Sequence, residues 1–287
     1  IPASLCGIVG LKPTFGRVSR IGVYPLSWSL DTVGPMTRTV RDTALIMNVI
    51  AGHDPRDTSS SRKPVPDYTY DLAKGVAGTR IGIPKEYFFE GLDPEIASAV
   101  RKAIGVLREL GASVEEVSIP LSKHTLHIGR TIVGAESSDL HMDNLRKRPQ
   151  DFGPQIRDAL EAGTMIPATH YVRAQRVRTA FTRQVKEVFS EVDLLAVPTT
   201  VMAATSLGNH EVTVAGKTDS PLNLLLTLTA PFNSCGAPAI SLPCGFTSQG
   251  LPIGLQLVGR AFDEPTVLRA AHAYEQTTEW HMRRPPL

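Results

Sequence analysis

The sequence has few cysteines, no excess of either charge and no long apolar run. Its three cysteines, Cys6, Cys235 and Cys244, form no CxxC pair, which argues against a disulfide framework and favours reduced thiols in a cytoplasmic protein. Each lies among apolar or small residues, which predicts buried thiols. The 30 basic and 28 acidic residues are mixed along the chain, so no face for direct nucleic-acid binding is predicted. Without a long apolar stretch there is no reason to expect a membrane span.

Several sequence motifs of catalysis are also absent. The chain has no GxSxG nucleophile elbow, no P-loop and no GxGxxG after a strand. Ser29 and Asp31 could be combined on paper with one of the eight histidines as a triad. Nothing in the sequence brings them together, and triads are defined by geometry. We therefore predict no Ser-His-Asp triad.

The histidines of the middle region do not predict a metal site. His124 and His127 could be joined by Glu136 or His141, but zinc needs three or four converging ligands at a matching spacing. Solvated or core histidines are the favoured interpretation.

Lys12 ends an apolar run, and as a general base it would need a desolvated site that lowers its pKa. An ion-paired strand end is the favoured interpretation of this lysine.

The first half of the chain predicts alternating strands and helices. Residues 5–11 read as an apolar strand, and Thr39 with Asp42 forms a capping box before a helix. A strand at 80–84 is followed by a helix that begins at Asp93-Pro94 and then by a strand at 114–119. Strand, helix and strand in this order indicate a crossover unit and hence an α/β sheet.

The second half predicts an outer helical layer and a return to the sheet. Residues 121–190 are helical in composition, and Pro154 and Pro167 divide them into three helices. The short cluster Arg146–Arg148 is interpreted as a solvated helix end. Residues 199–217 predict a loop. The remaining elements are a strand at 193–198, a helix from Ser220 to about Pro231, strands at 239–242 and 254–258, and a helix from Asp263.

Four blocks of sequence carry a resemblance to a known family. They read PASLCGIVGLKPTFGRVSR, SLDTVGPMTRTVRDTA, NSCGAPAISLPCGF and GLPIGLQLVGRAFDEPTVLRAAHAYEQ. Their composition and order resemble the amidase signature family, from Ile1 to about His281. The resemblance implies one α/β domain over residues 1–287, with a mixed, twisted central sheet covered by helices on both faces.

The same resemblance implies that this chain is the C-terminal part of the domain. Family members attack with a serine in a Gly-Gly-Ser-Ile-Arg segment, which a lysine activates through a cis-serine. By this alignment the nucleophile lies just upstream of Ile1, so we expect no catalytic residue of the triad in this chain. We also expect the chain, when expressed alone, to be inactive and poorly folded, because apolar surface would be exposed.

The parts that the chain retains are candidates for the walls of a substrate pocket. The segment from Ser29 to Met36 resembles a loop beside the catalytic serine, and residues 233–236 resemble a wall of the acyl pocket. A turn and a helix end are equally good structural interpretations of these segments. The candidate pocket residues are Ser29, Asp31, Leu226, Phe232, Asn233, Cys235 and Gly236.

The resemblance implies hydrolysis of a carboxylic amide through an acyl-serine intermediate, with a small-molecule substrate and no cofactor. Glutamine-specific subunits of the tRNA-dependent amidotransferase carry an arginine and an aspartate at positions that align here with Ala159 and Leu226, although Arg157 is near the first. We therefore favour a stand-alone hydrolase of apolar amides over a component of that amidotransferase. A non-catalytic partner or degenerate fragment is a further alternative, and a homo-oligomer is left open.

Overall fold

A computed structural model describes residues 1–285, which form a mixed sheet with helices on both sides. The helices are α1 (Pro2–Cys6), α2 (Val40–Ile50), α3 (Pro94–Glu109), α4 (Thr125–Lys147), α5 (Pro154–Thr164), α6 (Ala168–Glu191), α7 (Pro221–Leu226), α8 (Ala230–Ser234) and α9 (Glu264–Thr277). The strands are β1 (Val9–Lys12), β2 (Met36–Thr37), β3 (Arg80–Pro84), β4 (Ser113–Val117), β5 (Leu194–Pro198), β6 (Val212–Val214), β7 (Lys217–Asp219), β8 (Ala239–Phe246) and β9 (Pro252–Gly259).

The main sheet contains seven strands in the order β2-β1-β8-β9-β5-β3-β4. Strands β2, β1, β8, β9 and β5 are antiparallel to one another in this order, whereas β3 is parallel to both β5 and β4. Strand β5 therefore joins an antiparallel half to a parallel half. Strands β6 and β7 form a separate hairpin.

Side chains of β5 show that both faces of the sheet are covered. Successive residues of a strand point to opposite faces. Leu194 and Ala196 pack in a buried cluster with α2, α3 and α9. Leu195 and Val197 pack in a second cluster with α6 and α8. The predicted mixed α/β fold is confirmed.

The predicted crossover unit is also present. Strand β3 occupies the predicted residues, Pro94 begins α3, and Asp93 Oδ1 accepts a hydrogen bond from the Glu95 amide at 2.8 Å. Strand β4 ends before its predicted boundary because the Ile119 amide donates to Glu86 Oε2 at 2.9 Å rather than to a neighbouring strand. The capping of α2 is confirmed, since the Asp42 amide donates to Thr39 Oγ1 at 3.1 Å.

The predicted strand over residues 5–11 is wrong in its first half. Residues Pro2–Cys6 form the short helix α1, and the strand begins only at Val9. Proline is favoured in the first helical turn, where its missing N–H costs no hydrogen bond. Ala3 and Ser4 are buried beneath this turn, which packs on β9.

The single helix predicted over residues 220–231 is two helices. Helix α7 ends at Leu226 and α8 begins at Ala230. Pro231 has no N–H to donate to the Thr227 carbonyl four residues earlier, so the helical ladder is interrupted there. The hydroxyl of Tyr87 donates to that carbonyl instead, at 3.0 Å.

The segment predicted as loop over residues 199–217 includes β6 and the first residue of β7. Ala215 and Gly216 connect these strands and both have positive φ, at 48° and 80°. A two-residue turn of this kind normally carries Asn or Gly at its first position, so alanine gave no turn signal.

The three helices predicted within residues 121–190 are confirmed as α4, α5 and α6. Helix α4 packs against both of the others. Ile132 of α4 and Ala174 of α6 bury Leu30 between them, which ties the loop before β2 to this layer. The basic cluster at the end of α4 is exposed, as predicted. Within residues 1–285, no helix combines the length and apolar character that crossing a membrane requires.

A buried carboxylate at the start of α2 makes stability depend on pH. Glu275 Oε1 accepts the Val40 amide at 2.9 Å, and burial, with the nearby charge of Asp42, raises the pKa of Glu275 to about 7 from 4.5. Between these two values the folded protein binds more protons than the unfolded chain. The contribution of Glu275 to stability is therefore lost as the pH rises through 7.

We predict that Glu275→Gln raises the free energy of unfolding at pH 8 by roughly 1–3 kcal/mol, because the amide still accepts the Val40 N–H without a buried charge. Chemical denaturation at pH 4.5 and pH 8 measures this, with the exposed Glu279→Gln as the matched control. A variant that is less stable than the parent at pH 8 would contradict the prediction.

Candidate active site

A cavity of about 970 Å³, here termed the first cavity, lies between residues of β1, β8 and β9, α4, α5 and the α7–α8 segment. Three of the predicted pocket residues, Leu226, Phe232 and Asn233, line it. Most of the other lining side chains are apolar or small: Leu26, Leu30, Val133, Ile156, Ala159, Leu160, Ile166 and Leu222 are among them. A cavity of this size and character suits an uncharged organic molecule.

The loop beside this cavity is held by the buried carboxylate of Glu136 on α4. Ser29 donates to it twice, from Oγ to Oε1 at 2.7 Å and from its amide to Oε2 at 3.2 Å. Ser27 Oγ also donates to Oε2. The hydroxyl of Tyr171 on α6 donates to Oε1 at 2.9 Å. The carboxylate therefore fixes residues 27–29 against the helical layer.

Arg178 of α6 extends this network to the opposite wall. Its guanidinium donates from Nη1 to Ser29 Oγ at 3.0 Å and from Nη2 to the Ser29 carbonyl at 2.9 Å. Its Nε donates to the Ser234 carbonyl at the end of α8, at 2.7 Å. Burial lowers the pKa of Arg178, opposed by the charge of Glu136. Arg178 thus connects the loop at Ser29 to the end of α8. Leu30 of this loop and Ser234 of α8 both line the first cavity.

Ser29, Asp31, Cys235 and Gly236 are not part of the wall of the first cavity. Ser29 belongs to the network of Glu136, and Asp31 Oδ2 accepts the amides of Leu26 and Ser27 at 2.8 and 2.9 Å. Asp31 therefore shapes a turn. No histidine contacts Ser29 or Asp31 in the hydrogen bonds of the described residues, so the Ser-His-Asp combination is not assembled.

The other two candidates lie behind the wall at the end of α8. Burial raises the pKa of the Cys235 thiol, which donates weakly to the Phe232 carbonyl at 3.7 Å. A thiol with a raised pKa is a poor nucleophile. The Gly236 carbonyl accepts the Phe15 amide at 3.1 Å, which joins α8 to the turn after β1.

The polar end of the cavity was not predicted from the sequence. Thr199, Ser241 and Gln256 line it, and the hydroxyls of Thr199 and Ser241 are 2.8 Å apart. Gln256 Nε2 donates to the Leu228 carbonyl at 3.2 Å. The available signal was a polar residue inside an otherwise apolar strand, as in the runs AISLP and GLQLVG. These groups can bind the polar end of a ligand.

The prediction that Lys12 is ion-paired at the end of a strand is wrong. Its Nζ donates to the Pro13 carbonyl at 3.0 Å, and among the described residues no carboxylate lies within 4.0 Å of it. It lines the first cavity beside the polar end. Burial lowers the pKa of Lys12 to about 8, opposed by the charges of Cys235 and Glu264. The cavity therefore has a cation of unusually low pKa on its wall.

Gly34 allows the chain to pass close to β1 at the cavity. A Cβ at this position would lie 1.9 Å from the Leu11 carbonyl oxygen, so a larger residue would force the backbone apart. The Leu11 amide donates to the Pro35 carbonyl at 3.0 Å. The glycine is therefore required by the packing of this loop on the strand.

The remaining candidates from the sequence are the histidines of α4 and the cysteines. His124 and His127 are exposed, whereas His141 is buried. In residues 1–285 the structure brings together no group of three potential metal ligands.

All three cysteines are free, but Cys6 is exposed, which corrects the prediction of a buried thiol. It follows Leu5 at the end of a helix whose buried residues are Ala3 and Ser4.

We predict that Glu136→Ala lowers the free energy of unfolding by about 3 kcal/mol, because four hydrogen bonds lose their buried acceptor. Urea denaturation measures the loss. The control is Glu161→Ala on the exposed face of α5, where Glu161 pairs with Arg157 at 3.9 Å and the expected loss is below about 0.5 kcal/mol. Equal losses in the two variants would contradict the role of the network.

Comparison with known proteins identifies the family. The model of the amidase family matches residues 1–268. The chain is 48% identical to a glutamyl-tRNA(Gln) amidotransferase component of Chloroflexus aggregans and 45% identical to an amidase of Pseudomonas putida, covering 100% of this chain in both cases. The chain spans 62% of the length of these curated relatives.

A solved structure has the same fold. It comes from work on a vestigial protein complex and the origins of an s-triazine catabolic enzyme, and it superposes with a TM-score of 0.91 at 35% identity. The match covers 96% of this chain and 60% of the solved one. The family model, the relatives and the shared fold of this structure point to the same family. The chain belongs to the amidase family, whose members carry the amidase signature.

Proposed function

We propose that the protein, at the full length of its relatives, hydrolyses a carboxylic amide with an uncharged acyl group. A serine oxygen attacks the carbonyl carbon, and the C–N bond breaks as the amine leaves with a proton. Water then hydrolyses the acyl-serine ester and releases the carboxylic acid. In this proposal the nucleophile belongs to the Gly-Gly-Ser segment of the family, and the present chain supplies the walls of the acyl pocket.

The observation that carries the proposal is the identity of two residues that line the first cavity. Ala159 of α5 and Leu226 of α7 both line it. These are the positions where the resemblance expects an arginine and an aspartate in glutamine-specific subunits. A carboxylate substrate is held best by a bidentate guanidinium, and neither side chain here can supply one.

The neighbouring arginine does not replace the missing clamp. Arg157 pairs with Glu161 on the surface of α5 and lies outside the wall of the first cavity. Leu222 and Phe232 add apolar surface on the side of Leu226. Burial of an apolar acyl or amine group there would stabilise binding by about 25 cal/mol for each Å² of apolar surface. The charged end of glutamine would instead lose its hydration.

A glutamine-hydrolysing component of an amidotransferase is the second candidate. The identity of 48% to the amidotransferase component of Chloroflexus aggregans supports it. Such a component would hydrolyse glutamine and work with partner subunits. Lys12 and Arg130 line the first cavity and are the cations that this alternative would need for substrate binding. Arg130 is exposed and Lys12 lies beside the polar end, so neither replaces a clamp at positions 159 and 226.

The direct test is an amidase assay on the full-length polypeptide, with butyramide, benzamide and glutamine as substrates. We predict that kcat/KM for the neutral amides exceeds that for glutamine. The double variant Ala159→Arg, Leu226→Asp should change the ratio of neutral amide to glutamine activity by about tenfold or more in favour of glutamine, because the new side chains pair with its charged groups.

The matched control is Arg157→Ala, which removes an arginine two residues from position 159 but outside the wall of the cavity. It should leave the ratio unchanged. Replacement of the Gly-Gly-Ser serine by alanine should abolish all turnover. Preference of the unmodified enzyme for glutamine would overturn the proposal and favour the second candidate.

A further inference from the structure

A second cavity of about 350 Å³ lies beside the first. Its walls come from the loop at residues 24–26, from the last part of α4, from the short turn that follows α4, and from α5. Apart from Leu26, Ile156 and Leu160, its lining residues lie outside the wall of the first cavity. The cavity is more than twice the size of an engineered cavity of roughly 150 Å³ that binds benzene.

Three aromatic rings line this second cavity. The rings of Tyr24 and His141 are stacked, with centroids 5.3 Å apart and planes 12° from parallel. Phe152 meets His141 edge to face, with centroids 5.9 Å apart. His141 is also bonded through Nε2 to the Pro25 carbonyl at 3.2 Å, so the stack is anchored to the loop. Such a wall favours a planar aromatic ligand, which can add to the existing arrangement.

The charged groups at this cavity are satisfied by each other. Arg148 Nε lies 3.5 Å from Asp151 Oδ2, and Arg148 Nη2 donates to Asn144 Oδ1 at 3.1 Å. Arg148 and Asp151 side chains are both more than half exposed. A charged ligand would have to break these interactions, whereas an uncharged ring would not. The chemistry of the walls therefore favours an uncharged aromatic group.

The two cavities share three lining residues, Leu26, Ile156 and Leu160. Leu160 is buried, at 4% exposure, and forms a fixed boundary. Leu26 and Ile156 are 52% and 60% exposed, so little packing holds their side chains between the cavities. A ligand that displaces these two side chains occupies both cavities.

We propose that the second cavity is a distal subsite that binds an uncharged aryl group of the amide substrate. The inference rests on the proposed function for the position of the amide, which lies in the first cavity. The substrate class is then an arylalkyl amide, with the ring separated from the carbonyl by a short aliphatic spacer. The spacer passes between Leu26 and Ile156.

A binding measurement tests the subsite without any catalysis. The probes are 5-phenylpentan-2-one, a neutral ketone that cannot be hydrolysed, and pentan-2-one, which lacks the ring. Titration of the full-length protein, followed by NMR or calorimetry, should show that the phenyl probe binds at least about tenfold more tightly. Tyr24→Ala should weaken the phenyl probe by about 3- to 10-fold by removing one face of the stack.

The control is Tyr70→Ala, because Tyr70 is 79% exposed, close to the 75% of Tyr24, and lines neither cavity. It should leave the affinity for the phenyl probe unchanged. Tyr24→Phe keeps the ring and should restore the affinity. Equal affinities in the parent and the Tyr24→Ala protein would overturn the subsite.

Kinetics on the same proteins separate this inference from the proposed function. We expect Tyr24→Ala to lower the ratio of kcat/KM for 4-phenylbutanamide, which has the spacer of the phenyl probe, to that for butyramide, and Tyr70→Ala to leave it unchanged. Binding of the phenyl probe without hydrolysis of any neutral amide would leave the subsite standing and reject the proposed function. Hydrolysis of both amides, with a ratio of their kcat/KM values that Tyr24→Ala does not change, would support the proposed function and reject the subsite.

Discussion

The walls of the first cavity depend on the hydrogen bonds that the buried carboxylate of Glu136 accepts. It accepts hydrogen bonds from the loop at Ser27 and Ser29 and from Tyr171 on α6, and Arg178 carries the network on to the end of α8. A buried carboxylate is costly unless its oxygens are paired. Because the loop and α6 supply the partners, the charge is tolerated only when the loop and the helical layer are correctly assembled, and Arg178 links both to α8.

Much of the fold could be predicted from local patterns. The crossover unit and the three outer helices follow from capping residues, prolines and apolar spacing, which act within one or two turns of chain. The break between α7 and α8 depends on a proline and on Tyr87, which lies far away in sequence. The sequence does not predict α1 or the β6–β7 hairpin, because the apolar run over residues 5–11 resembles a strand and Ala215 is not typical of a two-residue turn. That residues 1–287 form one domain stays a prediction.

The candidate site was predictable only in part. The resemblance pointed to Leu226, Phe232 and Asn233, which line the first cavity. It gave no reason to choose Thr199, Ser241 or Gln256, because a polar residue in a buried strand acquires its role from partners in other strands and loops. The low pKa of Lys12 likewise arises from burial that no local pattern encodes. The sequence of α4 does not indicate the hydrogen bonds of Glu136 either, because the partners of Glu136 on the loop and on α6 are distant in sequence.

The central claim is that the first cavity holds the acyl group of an uncharged amide. A crystal structure of the full-length protein, with its Gly-Gly-Ser serine replaced by alanine and with butyramide bound, tests this most directly. We predict that the propyl chain of butyramide contacts Leu226 and Phe232 in the first cavity, which Ala159 also lines. Butyramide bound elsewhere, or a first cavity filled by the protein's own side chains at full length, would contradict the claim.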